Sequence, residues 1–575
     1  MTQFVNNQTS FNWKIAGKAG DGVMLAGKLL AKAAKRHGLQ AFNYLEYPSL
    51  IKGGHQTAQV YVSAENASCH KRLLDVLIAV NEDGIKEHLN EINDKTIIVF
   101  NNNSGKLEQF TDLKAKIYSI PFYDLLKNNN LNKITANILS LGISSYLLGL
   151  DKEFFIDVLK QEFAGKSKII ESNTKAFEIG FEEIAKSAQA GKTIDKKEDK
   201  TLLINGNEAV GLGALAAGVQ YYAAYPMTPA TGLLHYLAEI QEHYSSLVVK
   251  HTEDEIGAIV QALGASYAGV RSMTGTSGGG FALMVEALSM AGVTEVPIVI
   301  HEAQRTGPAT GVPTWTAQAD LQFVVRAGHG DFERVVLTPG DVEEHFNLAI
   351  KAFQLAEKYQ IPVFILSDKY ILESHQTMPI PEGVYKNPHL NMVTTEELPE
   401  DNSYRRYKLT EEGISKRSIP GQAHGLQITN SYEHDEFGFA TEDAAMIKAQ
   451  VKKRMKKLDN LVNEIPQPYL VGSEQAEVTF VAWGSTINVL KEVVLKSKKT
   501  VNVIHLPAVW PFPRDSFMKL ATAAKRLVMV EGNATGQCQQ LIRQETGLEI
   551  NDYLRRYDSQ PFYVDEILEW LNSIN

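Results

Sequence analysis

Short apolar runs alternate with amphipathic segments over three stretches of the chain, the pattern left by strands that feed helices. In the first stretch, Asn12–Ala16 reads as a strand and Gly17–Gly22 as a glycine-rich turn. Val23–Arg36 then carries Met24, Leu25, Leu29, Leu30 and Ala33 at helical spacing. Further strands are expected at Ala58–Val62, Val76–Val80 and Thr96–Phe100. Lys186–Lys200 is rich in charge and small residues and reads as a linker. The second stretch places strands at Tyr221–Tyr225, Val248–His251, Arg271–Thr276 and Val296–Glu302, with helical patterns between them. Such alternation predicts a parallel sheet whose loops gather at the strand C-termini. Periodicity then fades, apart from a basic amphipathic helix at Glu442–Val462, and returns with strands at Val478–Ala482, Val501–Leu506 and Arg526–Val530. The expected fold is α/β and multi-domain, with parallel or mostly parallel sheets. Its domains are 1–185, 201–379 and 474–575, joined by a linker at 186–200 and an extended connector at 380–473.

Composition narrows the function. A chain of 575 residues is too long for one core. Lys and Arg number 57 against 67 Asp and Glu, a net charge of −10 that argues against nucleic acid as the main partner. The two cysteines, Cys69 and Cys538, form no CxxC, so neither a disulfide framework nor a cysteine-held cluster or metal is expected in this chain. The polar N-terminus and the lack of any long apolar run predict no signal peptide and no membrane span, which makes a cytoplasmic enzyme the default reading.

Candidate chemistry lies in the loops that follow strands. Gly17-x-x-Gly20-x-Gly22 brings backbone N–H groups to a helix start, as a phosphate site does, but a tight turn with close helix packing uses the same glycines. The spacing is not that of a dinucleotide fingerprint, and Glu46 is only a loose candidate for its acidic residue. Lys52-Gly53-Gly54 sets a cation beside exposed amides, suited to a phosphate or acyl thioester, or simply a solvated turn. In Tyr225-Pro226-Met227-Thr228-Pro229 two prolines hold the Thr228 hydroxyl still; the alternative is Thr228 as an N-cap with Pro229 opening the helix. Thr252 and Glu255 have capping-box spacing, yet a glutamate at a strand–helix junction also presents a carboxylate to a ring nitrogen. Thr274–Gly280 ends in three glycines that let a flat ligand or another chain approach the backbone. Arg305, in the run Gln304–Gly311, is a candidate fork for a carboxylate or a rim ion pair. Glu531–Gln537 is a further polar loop at a strand C-terminus; the alternative is a turn at a subunit contact.

Taken together, Tyr-Pro-x-Thr-Pro, Glu-x-Glu-x-Gly-Ala, Thr-x-Thr-Ser-Gly, Gln-Arg-x-Gly-Pro-x-Thr-Gly and Glu-x-Asn-x-x-Gly-Gln occur in that order at domain-sized spacing. This resembles the large subunit of 2-oxoacid:ferredoxin oxidoreductases, in the form with a gamma domain fused at its N-terminus. Gly413-Ile-Ser-x-Arg417 with Pro420-Gly421, and Glu433-His-Asp-Glu436, are similar to the 2-oxoglutarate type in particular. The resemblance implies a Rossmann-like gamma domain, a pyrimidine-binding thiamine diphosphate domain and a transketolase C-terminal-like domain. It implies that Glu255 hydrogen-bonds the aminopyrimidine of thiamine diphosphate and so activates the thiazolium carbon. Tyr225, Pro226, Thr276 and Ser277 would line that cofactor, Thr228 and Arg305 would face the 2-oxoacid, and Lys52, Gly53 and Gly54 would lie near coenzyme A. Met227 stands where the family often has Ile, a volume-conserving change.

Gly20-Asp21-Gly22 is not the magnesium–diphosphate signature of thiamine enzymes, since its next asparagine, Asn43, comes too early. The resemblance therefore implies a second, beta subunit carrying Mg2+, the diphosphate site and a [4Fe-4S] cluster, ferredoxin as electron acceptor, and an alpha2beta2 assembly. Relatives acting on pyruvate or on branched-chain or aryl 2-oxoacids are alternatives. A non-catalytic nucleotide- or flavin-binding assembly subunit is an alternative of another class.

Overall fold

Strands such as Ile298–Gln304 and Pro362–Asp368 are buried along their whole length, the condition of a parallel sheet covered by helices on both faces. The computed structural model describes residues 10–49, 54–194, 197–383, 389 and 391–574. They form two compact units, one of Met1–Asn205, Glu373–Pro381 and Tyr563–Asn575, the other of Gly206–Leu372 and Glu382–Phe562. Among the described residues no helix is long and apolar enough to cross a membrane.

The first unit holds an eight-stranded sheet ordered Lys116–Ile120, Ile97–Asn101, Val76–Ala79, Ser10–Lys18, His55–Ser63, Gln40–Glu46, His375–Pro379 and Thr201–Asn205. Its first four strands are parallel and the rest pair antiparallel. The strand Gln40–Glu46 carries no clear alternation, because the polar Asn43 is buried among its apolar neighbours. Thr201–Asn205 and His375–Pro379, at the two ends of the expected second domain, pair with each other and group with the first unit; a backbone ladder between distant segments leaves no local signature. The segment expected as a linker is partly tied down, with Gly191 N donating to Tyr146 O at 2.9 Å and Lys35 paired to Asp199 at 2.6 Å. The glycine-rich turn packs tightly. Asp21 accepts from Lys18 N at 2.8 Å, and a Cβ on Gly22 would stand 2.4 Å from Asn137 Nδ2.

The second unit carries the candidate site. Its seven-stranded sheet runs Ala508–Trp510, Val335–Leu337, Pro362–Asp368, Ile298–Gln304, Ser272–Thr276, Tyr221–Ala224 and Val248–His251, parallel except for Ala508–Trp510. A five-stranded sheet, Tyr469–Gly472, Val501–Leu506, Val478–Trp483, Leu527–Glu531 and Asp552–Arg555, shares one apolar core with it. Phe281, Met284 and Phe364 from the first sheet's layers join Trp483, Ile504 and Met529 from the second.

The connector contains the helices Ala444–Lys456 and Leu458–Glu464 and is anchored by a buried charge cluster. Glu295 meets Lys453 and Lys457, each at 2.6 Å. Burial alone would raise the Glu295 carboxyl, but Lys453, Lys457 and Arg406 hold it well below the usual carboxylate range. Glu295→Ala would leave two buried ammonium groups without their carboxylate. It is expected to cost about 3–5 kcal/mol, read as a lowered urea midpoint at unchanged m-value; a midpoint equal to that of the parent would count against the cluster as an anchor.

Candidate active site at the strand C-termini

Parallel pairing carries four loops to one edge of the seven-stranded sheet. Ala224 stands beside His251, Ala223 beside Thr274, and Thr276 beside Glu302, so the chain leaves this edge at Tyr225, Thr252, Ser277 and Arg305. Convergence of loops at the C-terminal edge is the usual consequence of this topology.

The Thr252–Glu255 segment does not form the capping box its spacing suggests. Asp254, in extended conformation, is the N-cap of the helix Glu255–Tyr267, and its side chain accepts from Gly257 N at 2.7 Å. Thr252 Oγ1 donates instead to Asp254 O at 2.9 Å. Glu255 is thereby the first residue of the helix, buried, with Oε1 making no hydrogen bond. Its carboxylate turns to the first turn of the neighbouring helix Gly278–Thr294, where a Cβ on Gly280 would lie 2.6 Å from Glu255 Oε1 and 2.2 Å from Thr276 Oγ1. Ser277, the N-cap of that helix, makes no side-chain cap bond, and its buried Oγ has no hydrogen-bond partner. An unpaired carboxylate oxygen and an unpaired hydroxyl beside a glycine cradle fit a flat ring that donates a hydrogen bond.

The alternative reading of Thr228 is also overturned. The following helix, Thr231–Gln241, begins after Ala230 with no side-chain cap, so Thr228 caps nothing. Its carbonyl accepts from Arg305 Nη1 at 2.8 Å, which leaves the rest of the Arg305 fork available. Thr276 Oγ1 lies 4.0 Å from Met227 Sδ, joining the Thr228 loop to the Glu255 cradle. Tyr225 is 38% exposed, its ring 6.3 Å from that of His251, and Pro226 is half-buried. Lys52 and Gly53 lie outside the described residues. Gly54 belongs to the first unit, where its carbonyl accepts from Ala19 N at 3.2 Å.

Two carboxyl groups at this edge escape the sequence reading. Glu302 is fully buried, and neither of its oxygens receives a hydrogen bond. Asp320 Oδ2 lies against the start of the next helix, where a Cβ on Gly278 would meet it at 2.5 Å. The glycines of Gly278–Gly280 therefore admit two carboxylates of this chain at a helix N-terminus, where the helix dipole favours negative charge. Burial and the neighbouring Asp320 push Glu302 well above the usual range. Burial raises Asp320 to about 6, with Glu302 and Arg305 acting against it. Burial lowers Arg305, with Asp320 acting against it. An acid inside the apolar run Ile298–Gln304 is the one trace of Glu302 in the sequence; Asp320 leaves none.

The loop that ends in Asp320 is held by the late motif. Gln318 N donates to Gly532 O at 2.8 Å, Gly532 N returns a bond to Gln318 Oε1 at 2.8 Å, and Asn533 Nδ2 donates to Gln318 O at 2.9 Å. Glu531 secures that support by accepting from Cys538 N at 2.9 Å and Gln539 N at 3.2 Å. The Glu531–Gln537 loop thus acts within this chain as a brace for the site.

Fold and site together define an α/β subunit of the thiamine-enzyme type, and the comparisons with known proteins specify it. The family described as pyruvate ferredoxin/flavodoxin oxidoreductase matches residues 12–183. Its thiamine-diphosphate-binding domain matches 212–453, and the transketolase C-terminal domain matches 469–557. A Sulfolobus 2-oxoacid:ferredoxin oxidoreductase subunit alpha is 31% identical over 97% of this chain and 96% of its own. The 2-oxoglutarate synthase subunit KorA of Methanocaldococcus jannaschii is 33% identical over 58% of this chain and 89% of its own. The solved 2-oxoglutarate:ferredoxin oxidoreductase of Magnetococcus marinus, with 2-oxoglutarate, coenzyme A and succinyl-CoA bound, superposes with a TM-score of 0.91 at 31% identity over 98% of this chain and 99% of that one. The chain belongs to the 2-oxoacid:ferredoxin oxidoreductase family, as its alpha subunit, an oxidoreductase with an iron–sulfur acceptor.

Proposed function

We propose that this alpha subunit, with a beta subunit, oxidises 2-oxoglutarate to succinyl-CoA and carbon dioxide in a reaction that needs thiamine diphosphate and coenzyme A and passes electrons to ferredoxin. The observation that carries the reading is the full-length likeness to the Magnetococcus marinus enzyme, which holds that substrate and product. The KorA relative supports it over the shared part. The connector residues similar to the 2-oxoglutarate type act as packing. Arg417 Nη1 donates to Ser266 O at 2.6 Å, Glu433 pairs with Arg454 at 2.6 Å, and Glu436 pairs with Arg405 at 2.8 Å.

Thiamine diphosphate, when bound, supplies the electron sink for decarboxylation. The residues here fit its aminopyrimidine end. Glu255 Oε1, buried and unpaired, is placed to hold the proton of a ring nitrogen. Ser277 Oγ offers a second polar contact, and Thr276 and Gly280 shape the cradle beside the Tyr225–Pro226 loop. Arg305 takes the substrate carboxylate through the fork left free by its bond to Thr228, whose hydroxyl faces the substrate. Lys52, Gly53 and Gly54 serve coenzyme A. Mg2+, the diphosphate site and a [4Fe-4S] cluster are assigned to the beta subunit in a cytoplasmic alpha2beta2 assembly, since both cysteines of this chain are buried and far apart in sequence.

The test is anaerobic co-expression with the beta subunit and an assay of viologen reduction. Coenzyme A-dependent turnover of 2-oxoglutarate well above that of pyruvate is expected. In the Arg305→Ala variant, KM for the 2-oxoacid should rise roughly 30-fold or more, the loss of about 2 kcal/mol for a charge-assisted pair. Turnover of pyruvate alone would overturn the substrate assignment, and no turnover of any 2-oxoacid by a loaded complex would overturn the reaction.

A further inference from the structure

Lys14, Glu91 and His88 are buried in the first unit and lead, contact by contact, to His55. Lys14 comes from the strand Ser10–Lys18, His88 and Glu91 from the short turn at Leu89–Glu91. His55 opens the strand His55–Ser63, immediately after Gly54. Lys14 Nζ donates to Glu91 Oε2 at 2.5 Å, and His88 Nδ1 stands 3.0 Å from Glu91 Oε1. On its other side His88 Nε2 meets His55 Nε2 at 2.9 Å. The chain ends at His55 Nδ1, which is buried and has no hydrogen-bond partner among the described residues. Glu255 Oε1 and Ser277 Oγ share that condition at the thiamine cradle.

Each contact fixes a hydrogen. A carboxylate only accepts, so His88 Nδ1 carries the hydrogen between it and Glu91. Burial alone would raise Glu91, but Lys14 and the hydrogen bond from His88 hold it at about 2, so it is ionised. Neutral His88 then presents a lone pair at Nε2, and its contact with His55 takes the hydrogen from His55 Nε2. That leaves His55 Nδ1 as a bare lone pair, a proton acceptor. Several other charges act nearby. Lys14 Nζ is 3.4 Å from His88 Nδ1, Lys18 is the cross-strand partner of His55, Glu46 accepts from Thr57 Oγ1 at 2.9 Å, and Glu87 precedes His88. Burial and then His88 lower His55; Glu87 and Glu46 act against them and Lys14 with them, so His55 is neutral under ordinary conditions.

The proposed reaction demands such an acceptor. Turning a 2-oxoacid anion and a thiol into a thioester and carbon dioxide releases two electrons and one proton, and that proton is the thiol's. The thiolate, not the thiol, is the nucleophile. We propose that His55 Nδ1 takes the thiol proton of coenzyme A, and that His88, Glu91 and Lys14 position His55 to do so. This rests on the assignment of the Lys52–Gly54 loop to coenzyme A, which His55 directly follows. The sulfur–hydrogen bond breaks with its electron pair left on sulfur, and a nitrogen–hydrogen bond forms at His55 Nδ1. The hydrogen of His55 Nε2 shifts to His88 Nε2, which brings the positive charge beside Glu91. The proton passes to solvent once the thioester has formed.

The experiment follows kcat/KM for coenzyme A against pH in the reconstituted complex at saturating 2-oxoglutarate. The parent profile should be flat from pH ~7 to ~8.5, because His55 removes the proton at any pH where it is neutral. His55→Gln keeps a donor for His88 but accepts no proton, so only thiolate already present reacts. An ordinary thiol, of pKa about 8.5, is ~3% ionised at pH ~7, so kcat/KM should fall about 30-fold there and climb tenfold per pH unit toward the parent value. Calorimetric Kd for coenzyme A, taken without 2-oxoacid, should not change. His88→Gln removes the ring that lowers His55 and should move the acid limb of the profile to higher pH. A His55→Gln profile parallel to the parent's, or a loss of binding equal to the loss of kcat/KM, would overturn the proposal. An acid limb unmoved in His88→Gln would overturn the positioning chain. An unchanged KM for coenzyme A in Lys52→Ala would overturn the loop assignment alone, and a loaded parent without coenzyme A-dependent turnover would overturn the proposed function beneath it. The parent profile decides the question by itself if the variants do not fold, since a tenfold rise per pH unit in the parent would leave no base to assign.

Discussion

Glu255→Ala is expected to lower kcat by about 10²- to 10⁴-fold, the range of a lost proton-transfer group, while the chain folds and assembles as before. The reasoning turns on what Glu255 does not do. Asp254 caps the helix, so removing the Glu255 carboxylate breaks no cap. Its Oε1 is buried without a partner, and a buried polar atom without a hydrogen bond costs about 1–3 kcal/mol. Stability of the variant should therefore match or exceed that of the parent, a pattern seen where a site is arranged for ligand rather than for the fold. Turnover at saturating thiamine diphosphate, with thermal unfolding beside it, checks both halves. A variant as active as the parent would remove Glu255 from the chemistry; one that unfolds would return it to a structural role. Glu255→Gln, which keeps shape without the negative charge, separates the two causes.

Gly280→Ala is the second large effect expected, and Gly279→Ala is its control. A Cβ at Gly280 would lie 2.2 Å from Thr276 Oγ1 and 2.6 Å from Glu255 Oε1, closer than any real contact. Glu255 can swing aside, but Thr276 is fully buried, so the methyl displaces the carboxylate and fills the cradle. Loss of thiamine diphosphate affinity by tenfold or more is expected, with an overpacking cost of about 1–3 kcal/mol. At Gly279 a Cβ meets nothing nearer than Ala309 O at 3.9 Å, and there alanine should stabilise the helix by roughly 0.5–1 kcal/mol. Equal behaviour of the two variants, measured by cofactor titration and thermal melting, would refute the cradle.

Much of this protein is set by local pattern. The alternation of apolar runs and amphipathic segments places four strands of the seven-stranded sheet, missing Val335–Leu337, Pro362–Asp368 and Ala508–Trp510, and a parallel sheet then carries Tyr225, Thr252, Ser277 and Arg305 to one edge. The order of the loop motifs points to the family, because each loop follows a strand whose partner spacing the chain itself dictates. Tertiary structure decided the rest. Capping-box spacing suits Thr252 and Glu255, yet the extended backbone at Asp254 hands the cap to that residue and releases the glutamate. Pairing of Thr201–Asn205 with His375–Pro379 joins segments far apart in sequence, and backbone hydrogen bonds of that kind are indifferent to side-chain identity. The three glycines after Ser277 announce a close approach but not what approaches: here it is the carboxylates of Glu255 and Asp320. Burial raises Glu302 and Asp320 above the usual carboxylate range, and that burial exists only once a strand end, a helix start and a loop braced by Gln318 and Gly532 meet.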